Sequence, residues 1–134
     1  MNDFDQFLGK CILLAEDENC CFKLIDRHLT VLGFNDVFVA TNLMDAEKIA
    51  HSKTPDIALV NVNLNKGFRF VELGRTLATS GIPVLFMSGL NLKETAMATR
   101  GFELVEKPLS LPRLKAALHR TMLRANYGKQ PPLT

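Results

Sequence analysis

Five short apolar runs recur along the chain, and between them the apolar residues fall at helical spacing. The central run is Ile57 to Val62, in which five of six residues are apolar, bounded by Pro55 before it and by Asn65-Lys66-Gly67 after it. A run of that length between turn signals predicts a strand buried on both faces, as in a parallel sheet. The other runs predict strands at 10–15, 36–40, 84–87 and 102–106. After the first strand, Phe22, Ile25, Leu29 and Leu32 lie at steps of three, four and three on one face of a helix, with Gly33 as its C′ residue. Asn42 is placed to cap a second helix reaching about His51. A third helix is expected over about 70–79, with Val71, Gly74, Leu77 and Ala78 on one side, and a short, weak fourth over about 91–99. Ser110 caps a fifth, with Pro112 in its first turn and Leu111, Leu114, Leu118 and Met122 on its buried side. Residues 1–9 read as a loose or weakly helical lead-in, 10–124 as the folded domain, and 125–134 as a flexible tail.

Strand and helix alternate five times, which implies a parallel sheet with helices on both faces and right-handed crossovers. All five strand carboxyl ends then share one rim, where open α/β sheets place their sites. Glu16-Asp17 follows the first strand, Asn61 ends the third, Ser88 follows the fourth and Lys107 follows the fifth. Each is ordinary alone: acids cap helices, serines make turns and lysines are solvated. Their joint placement at four strand ends marks the rim as the candidate site.

Composition changes little. At 134 residues the chain holds one domain with one core. No apolar run approaches the about 18 residues of a membrane-spanning helix, and the acidic start, Met1 to Asp5, lacks a signal peptide's pattern. Cys11, Cys20 and Cys21 are odd in number and two are adjacent, so they read as reduced thiols of a cytoplasmic protein, with Cys11 a small core residue. Charge is uneven: residues 1–60 carry ten acids and five bases, residues 61–134 four acids and eleven bases. The basic final helix reads as a solvated face rather than a nucleic-acid surface.

The pieces Ile12-Leu13-Leu14-Ala15-Glu16-Asp17-Glu18, Pro55 to Leu64, Val84 to Gly89 and Glu106-Lys107-Pro108 together resemble the receiver domain of two-component response regulators, over about residues 9–124. The resemblance implies an α/β fold: a flavodoxin-like (βα)5 three-layer sandwich whose parallel five-stranded sheet has the order 2-1-3-4-5. It implies that Glu16, Asp17 and the backbone carbonyl of Asn63 hold Mg²⁺, that Ser88 bonds a phosphoryl group, that Lys107 neutralises it and that Lys107-Pro108 is a cis candidate. The acceptor in that family is an aspartate at the end of the third strand, which takes the phosphoryl group from a phosphohistidine.

Here the acceptor position holds Asn61, either native to a degenerate receiver or an Asp→Asn change. A neutral amide cannot form the acyl phosphate, and losing one negative charge weakens Mg²⁺ binding and removes the usual closest partner of Lys107. Leu104 also stands where many members have an aromatic residue, and Phe102 is set aside as its replacement on strand parity. The reading is thus a stand-alone, non-enzymatic receiver module whose output is protein binding. Its implied partners are a sensor histidine kinase or phosphotransfer protein and a downstream protein, through the 91–124 face with Lys115 and Arg120 exposed. A second copy of the chain is a further candidate for that face. The alternative is a flavodoxin-like ligand-binding or catalytic domain on the same rim. Against it, Glu16-Asp17-Glu18 has the wrong charge for a phosphate cradle, and His28, His51 and His119 read as solvated rather than as bases beside Ser88.

Overall fold

The computed structural model describes residues 6–17, 19–89, 91–107 and 109–128. The strands are β1 (Cys11–Ala15), β2 (Asp36–Ala40), β3 (Ile57–Asn61), β4 (Val84–Ser88) and β5 (Glu103–Glu106). The helices are α1 (Asn19–Val31), α2 (Leu43–Lys53), α3 (Arg69–Thr79), α4 (Leu92–Ala98) and α5 (Leu111–Gly128), with a 3₁₀ turn at Leu64–Lys66. All ladders are parallel, and the order is β2-β1-β3-β4-β5. This is the flavodoxin-like arrangement expected above, with the sheet reversing its winding between β1 and β3.

The sheet is buried on both sides because its central strands are apolar at every position but the last of β3 and β4, Asn61 and Ser88. Alternation along β1 and β3 then divides them between two layers. Ile12, Leu14, Ile57 and Leu59 pack with Ile25 and Leu29 of α1 and Leu114, Ala117 and Leu118 of α5. Leu13, Ala58 and Val60 pack with Ala46 of α2 and Val71, Leu73 and Leu77 of α3. Asn42 caps α2, its side chain accepting from Asp45 N at 2.9 Å. Gly33 ends the α1 turn at φ 110°, a left-handed conformation that glycine adopts without Cβ strain. The short α4 matches the weak segment expected there.

Several expectations change. The lead-in is not loose where it is described: Phe7 is fully buried and stacks on Phe34 with ring centroids 5.0 Å apart. Gln6 bonds to His119 of α5. The last helix runs to Gly128 rather than ending near 124. Cys11 is half-buried rather than a core residue, at the start of β1. Parity does not separate Phe102 from Leu104, because residues two apart share a face. Both pack against the α2/α3 layer, and Phe102 meets Phe86 edge-on at 5.3 Å. Pro108 and its peptide bond, Glu18 and the segment 129–134 lie outside the described residues. Among the described residues, no helix is long and apolar enough to cross a membrane.

Candidate functional site

The rim is built by backbone that extends the ladders just past the strands. Glu16 N donates to Ala40 O at 2.9 Å, Val62 N to Met87 O at 2.8 Å and Lys107 N to Ser88 O at 2.8 Å. Each residue that carries chemistry is therefore fixed by a sheet hydrogen bond within one position of it. Glu16 is wholly buried. A buried carboxylate is costly without a charged partner, and Lys107 supplies one, its Nζ 2.9 Å from Glu16 Oε2. Lys107 follows β5 and Glu16 follows β1, so this ammonium reaches past the ends of β4 and β3.

Asp17 is mostly buried. Its Oδ2 accepts from Lys66 Nζ at 3.1 Å, while its Oδ1 is buried with no hydrogen-bond partner. Lys66 closes the 3₁₀ turn after β3. Asn63 opens that turn, its side chain accepting from Asn65 N at 3.0 Å and its carbonyl from Lys66 N at 2.9 Å. Asn65 Oδ1 in turn accepts from Asn91 Nδ2 at 3.3 Å, tying the loop to the start of α4.

Asn61 ends β3 beside Met87 and is only 5% exposed. Ser88 is buried too, its hydroxyl 3.3 Å from that of Thr95 on α4. Thr95 O accepts from Thr99 Oγ1 at 2.8 Å, so hydroxyls run from the end of β4 along α4.

Glu16, Asp17, Asn61, Ser88 and Lys107 thus share one rim, as the strand order requires. Lys115 and Arg120 lie apart from it on α5. Lys115 is half-buried rather than exposed. Arg120 is exposed but pairs with Glu103 of β5, Nε to Oε1 at 2.7 Å, and Arg124 lies 3.5 Å from the other oxygen. Sequence reasoning missed Lys66 and Thr95. Lys66 sits five residues past Asn61 in a loop at the carboxyl edge of the sheet, and that position alone was a usable signal.

The implied magnesium ligands are all engaged within the protein. Glu16 holds Lys107, Asp17 holds Lys66, and the Asn63 carbonyl holds the Lys66 N–H. The orphaned Asp17 Oδ1 is the one anionic donor left free among them, whereas Mg²⁺ is usually held in an octahedron by one or two carboxylates with waters, and both carboxylates here already face an ammonium group. Among the described residues, no three acidic, histidine or cysteine side chains gather where they could hold a metal. These side chains do not fit a resident divalent cation.

The response regulator receiver domain profile matches residues 12–119. The chain is 31% identical over 127 residues to the uncharacterized transcriptional regulatory protein YvcP of Bacillus subtilis (strain 168), covering 90% of this chain and 52% of that protein. It is 30% identical over 118 residues to the regulatory protein VirG of Rhizobium rhizogenes, covering 81% and 48%. The chain therefore spans about half the length of the curated relatives it matches. Its fold superposes on the signal receiver domain of a putative LuxO repressor protein from Vibrio parahaemolyticus, with a TM-score of 0.70 and 19% identity over 90% of this chain and 95% of that one. A response regulator receiver domain protein from Clostridium thermocellum gives 0.71 and 21% over 88% and 98%. With the strand order, the rim and a profile match over most of its length, the chain belongs to the response regulator receiver domain family.

Proposed function

We propose that this chain is a receiver module of a two-component phosphorelay in which Asn61 occupies the phosphoacceptor position, so that it signals by binding and not by phosphorylation there. Receiver domains are generally non-enzymatic, pair with histidine kinases or phosphotransfer proteins and bind Mg²⁺ at the phosphorylation site. The observation that carries the reading is Asn61 itself: a nearly buried neutral amide ends the central strand, with Glu16, Asp17, Ser88 and Lys107 on the flanking strand ends. An amide oxygen is a far poorer nucleophile than a carboxylate and cannot carry a stable acyl phosphate. In this reading Ser88 and Lys107 keep the positions of the phosphoryl-binding pair. Lys107 is committed to Glu16 instead of to an acceptor carboxylate.

Output then falls to a protein partner on the face of α4, β5 and α5. There Arg120 and Arg124 flank Glu103, and Leu92 and Met97 are exposed. Substitution of Arg120 weakens partner binding without unfolding the chain, because an exposed ion pair contributes at most about 1 kcal/mol to folding.

The test is incubation with Mg²⁺ and acetyl phosphate, read by intact-mass spectrometry, on the chain and on Asn61→Asp. The chain keeps its mass and the Asp variant gains one phosphoryl group. A phosphoryl gain by the unaltered chain defeats the reading of Asn61 and points to another acceptor.

A further inference from the structure

We propose that Lys66 stands in for a divalent cation, so that the rim is charge-balanced by its own lysines and excludes Mg²⁺. This rests on the rim being a receiver's acidic pocket, and it goes beyond the loss of the acceptor. Two carboxylates, Glu16 and Asp17, face two ammonium groups, Lys107 and Lys66, at 2.9 and 3.1 Å. Among the described residues these two pairs cancel in charge. A receiver with a third carboxylate at position 61 and only the Lys107 cation carries two net negative charges, which one divalent cation cancels. In this chain Asn61 removes one negative charge and Lys66 adds one positive, so a divalent cation entering here would meet no net attraction.

Lys66 also acts through geometry. Its backbone N–H donates to the Asn63 carbonyl at 2.9 Å, and its ammonium holds Asp17 Oδ2. One residue thereby occupies two of the three groups that would ligate the metal. The 3₁₀ turn makes this possible. It folds the loop after β3 back so that the fifth residue past Asn61 reaches the residue two past β1. Asp17 is well shielded, at 17% exposure of its side chain, while Lys66 is about half exposed at 55%. The ammonium can therefore be removed without disturbing the core.

Mn²⁺ is the probe, since it takes the same hard oxygen donors and its free concentration is read directly by electron paramagnetic resonance. Four proteins are compared: the chain, Asn61→Asp, Lys66→Ala and the double variant, each checked for fold by circular dichroism. The expected order is negligible binding by the chain, weak binding by either single variant, and affinity at least about tenfold higher in the double variant than in Asn61→Asp. If Mn²⁺ binds the chain as tightly as the double variant, Lys66 excludes nothing and the inference fails while the receiver reading stands. Equal affinity of Asn61→Asp with and without Lys66→Ala has the same meaning. If the double variant binds no Mn²⁺ either, both the inference and the reading of the rim as a receiver pocket are overturned.

Discussion

Replacing Gly74 with alanine tests the packing behind the rim. A Cβ at this α3 position would lie 2.2 Å from Cζ and 2.5 Å from Cε1 of Phe86, and 3.3 Å from Cγ1 of Val84. Carbon atoms settle about 3.5–4.0 Å apart, so the ring must retreat by about 1 Å or more. It has little freedom to do so, being fully buried, met edge-on by Phe102 and paired in register with Leu104. Overpacking of this kind costs about 1–3 kcal/mol, while alanine's better helix propensity offsets about 1 kcal/mol. Given the depth of overlap, the net loss is about 1–2 kcal/mol. With a urea m-value of about 2 kcal/mol per molar, the unfolding midpoint falls by about 0.5–1 M. Phe86→Leu supplies the control. It removes the ring atoms that clash, so the double variant loses less than the sum of the singles, by about 1 kcal/mol or more. A midpoint for Gly74→Ala at or above the parent's, or strictly additive losses, would refute the packing account.

Three further outcomes are expected. Phe7→Ala lowers stability by about 3–5 kcal/mol in denaturant titration, because it empties a fully buried ring site against Phe34; a loss under about 1 kcal/mol would mean that the lead-in is as loose as its sequence suggests. Asn42→Ala costs about 1 kcal/mol through loss of the α2 cap, and Asn42→Ser, whose hydroxyl can accept from Asp45 N, restores most of it; equal midpoints for all three proteins would remove the cap from the account. Burial, then the neighbouring Asp56 carboxylate, pushes the Cys11 thiol pKa up, offset in part by the hydrogen bond from backbone. A raised folded-state pKa gives stability that is fully present below the unfolded pKa and is lost as pH rises through the folded one. In a background lacking Cys20 and Cys21, stability therefore declines on the alkaline side and thiol alkylation at mildly alkaline pH is slower than for free cysteine; faster alkylation would contradict the placement of Cys11.

The sheet was legible because its signal is local. Each strand is a short apolar run between turn residues, and the alternation of strand and helix leaves few topologies. The positions of Glu16, Asp17, Asn61, Ser88 and Lys107 followed from strand ends alone, since whatever follows a parallel strand must lie on that rim. What each side chain does there was not local. Lys66 meets Asp17 across 49 residues, and Lys107 meets Glu16 across 91. Nothing in the neighbourhood of either lysine in sequence announces its carboxylate. Phe7 escaped for a related reason: with Phe4 and Leu8 it makes an apolar group too short to define an element, and its burial is decided by distant Phe34 and α5. The overrun of α5 to Gly128 follows Arg124 and Ala125, good helix formers that continue the helix past Met122, the last apolar position of the buried stripe.

The placement of Phe7 also bears on how the chain is made. The layer around it is closed on one side by Leu114, Ala117 and Leu118, and Gln6 is tied to His119. During synthesis Phe7 leaves the ribosome before any of the strands, and α5 leaves after all of them. The part of this face that α5 covers beside α1, with a phenylalanine at its edge, therefore stays open until more than a hundred further residues have been translated. Exposed apolar surface on nascent chains is what chaperones hold and what aggregates otherwise. A nascent chain whose five strands have left the ribosome but whose α5 has not carries that part of the sheet open, and release of α5 is the step that covers it.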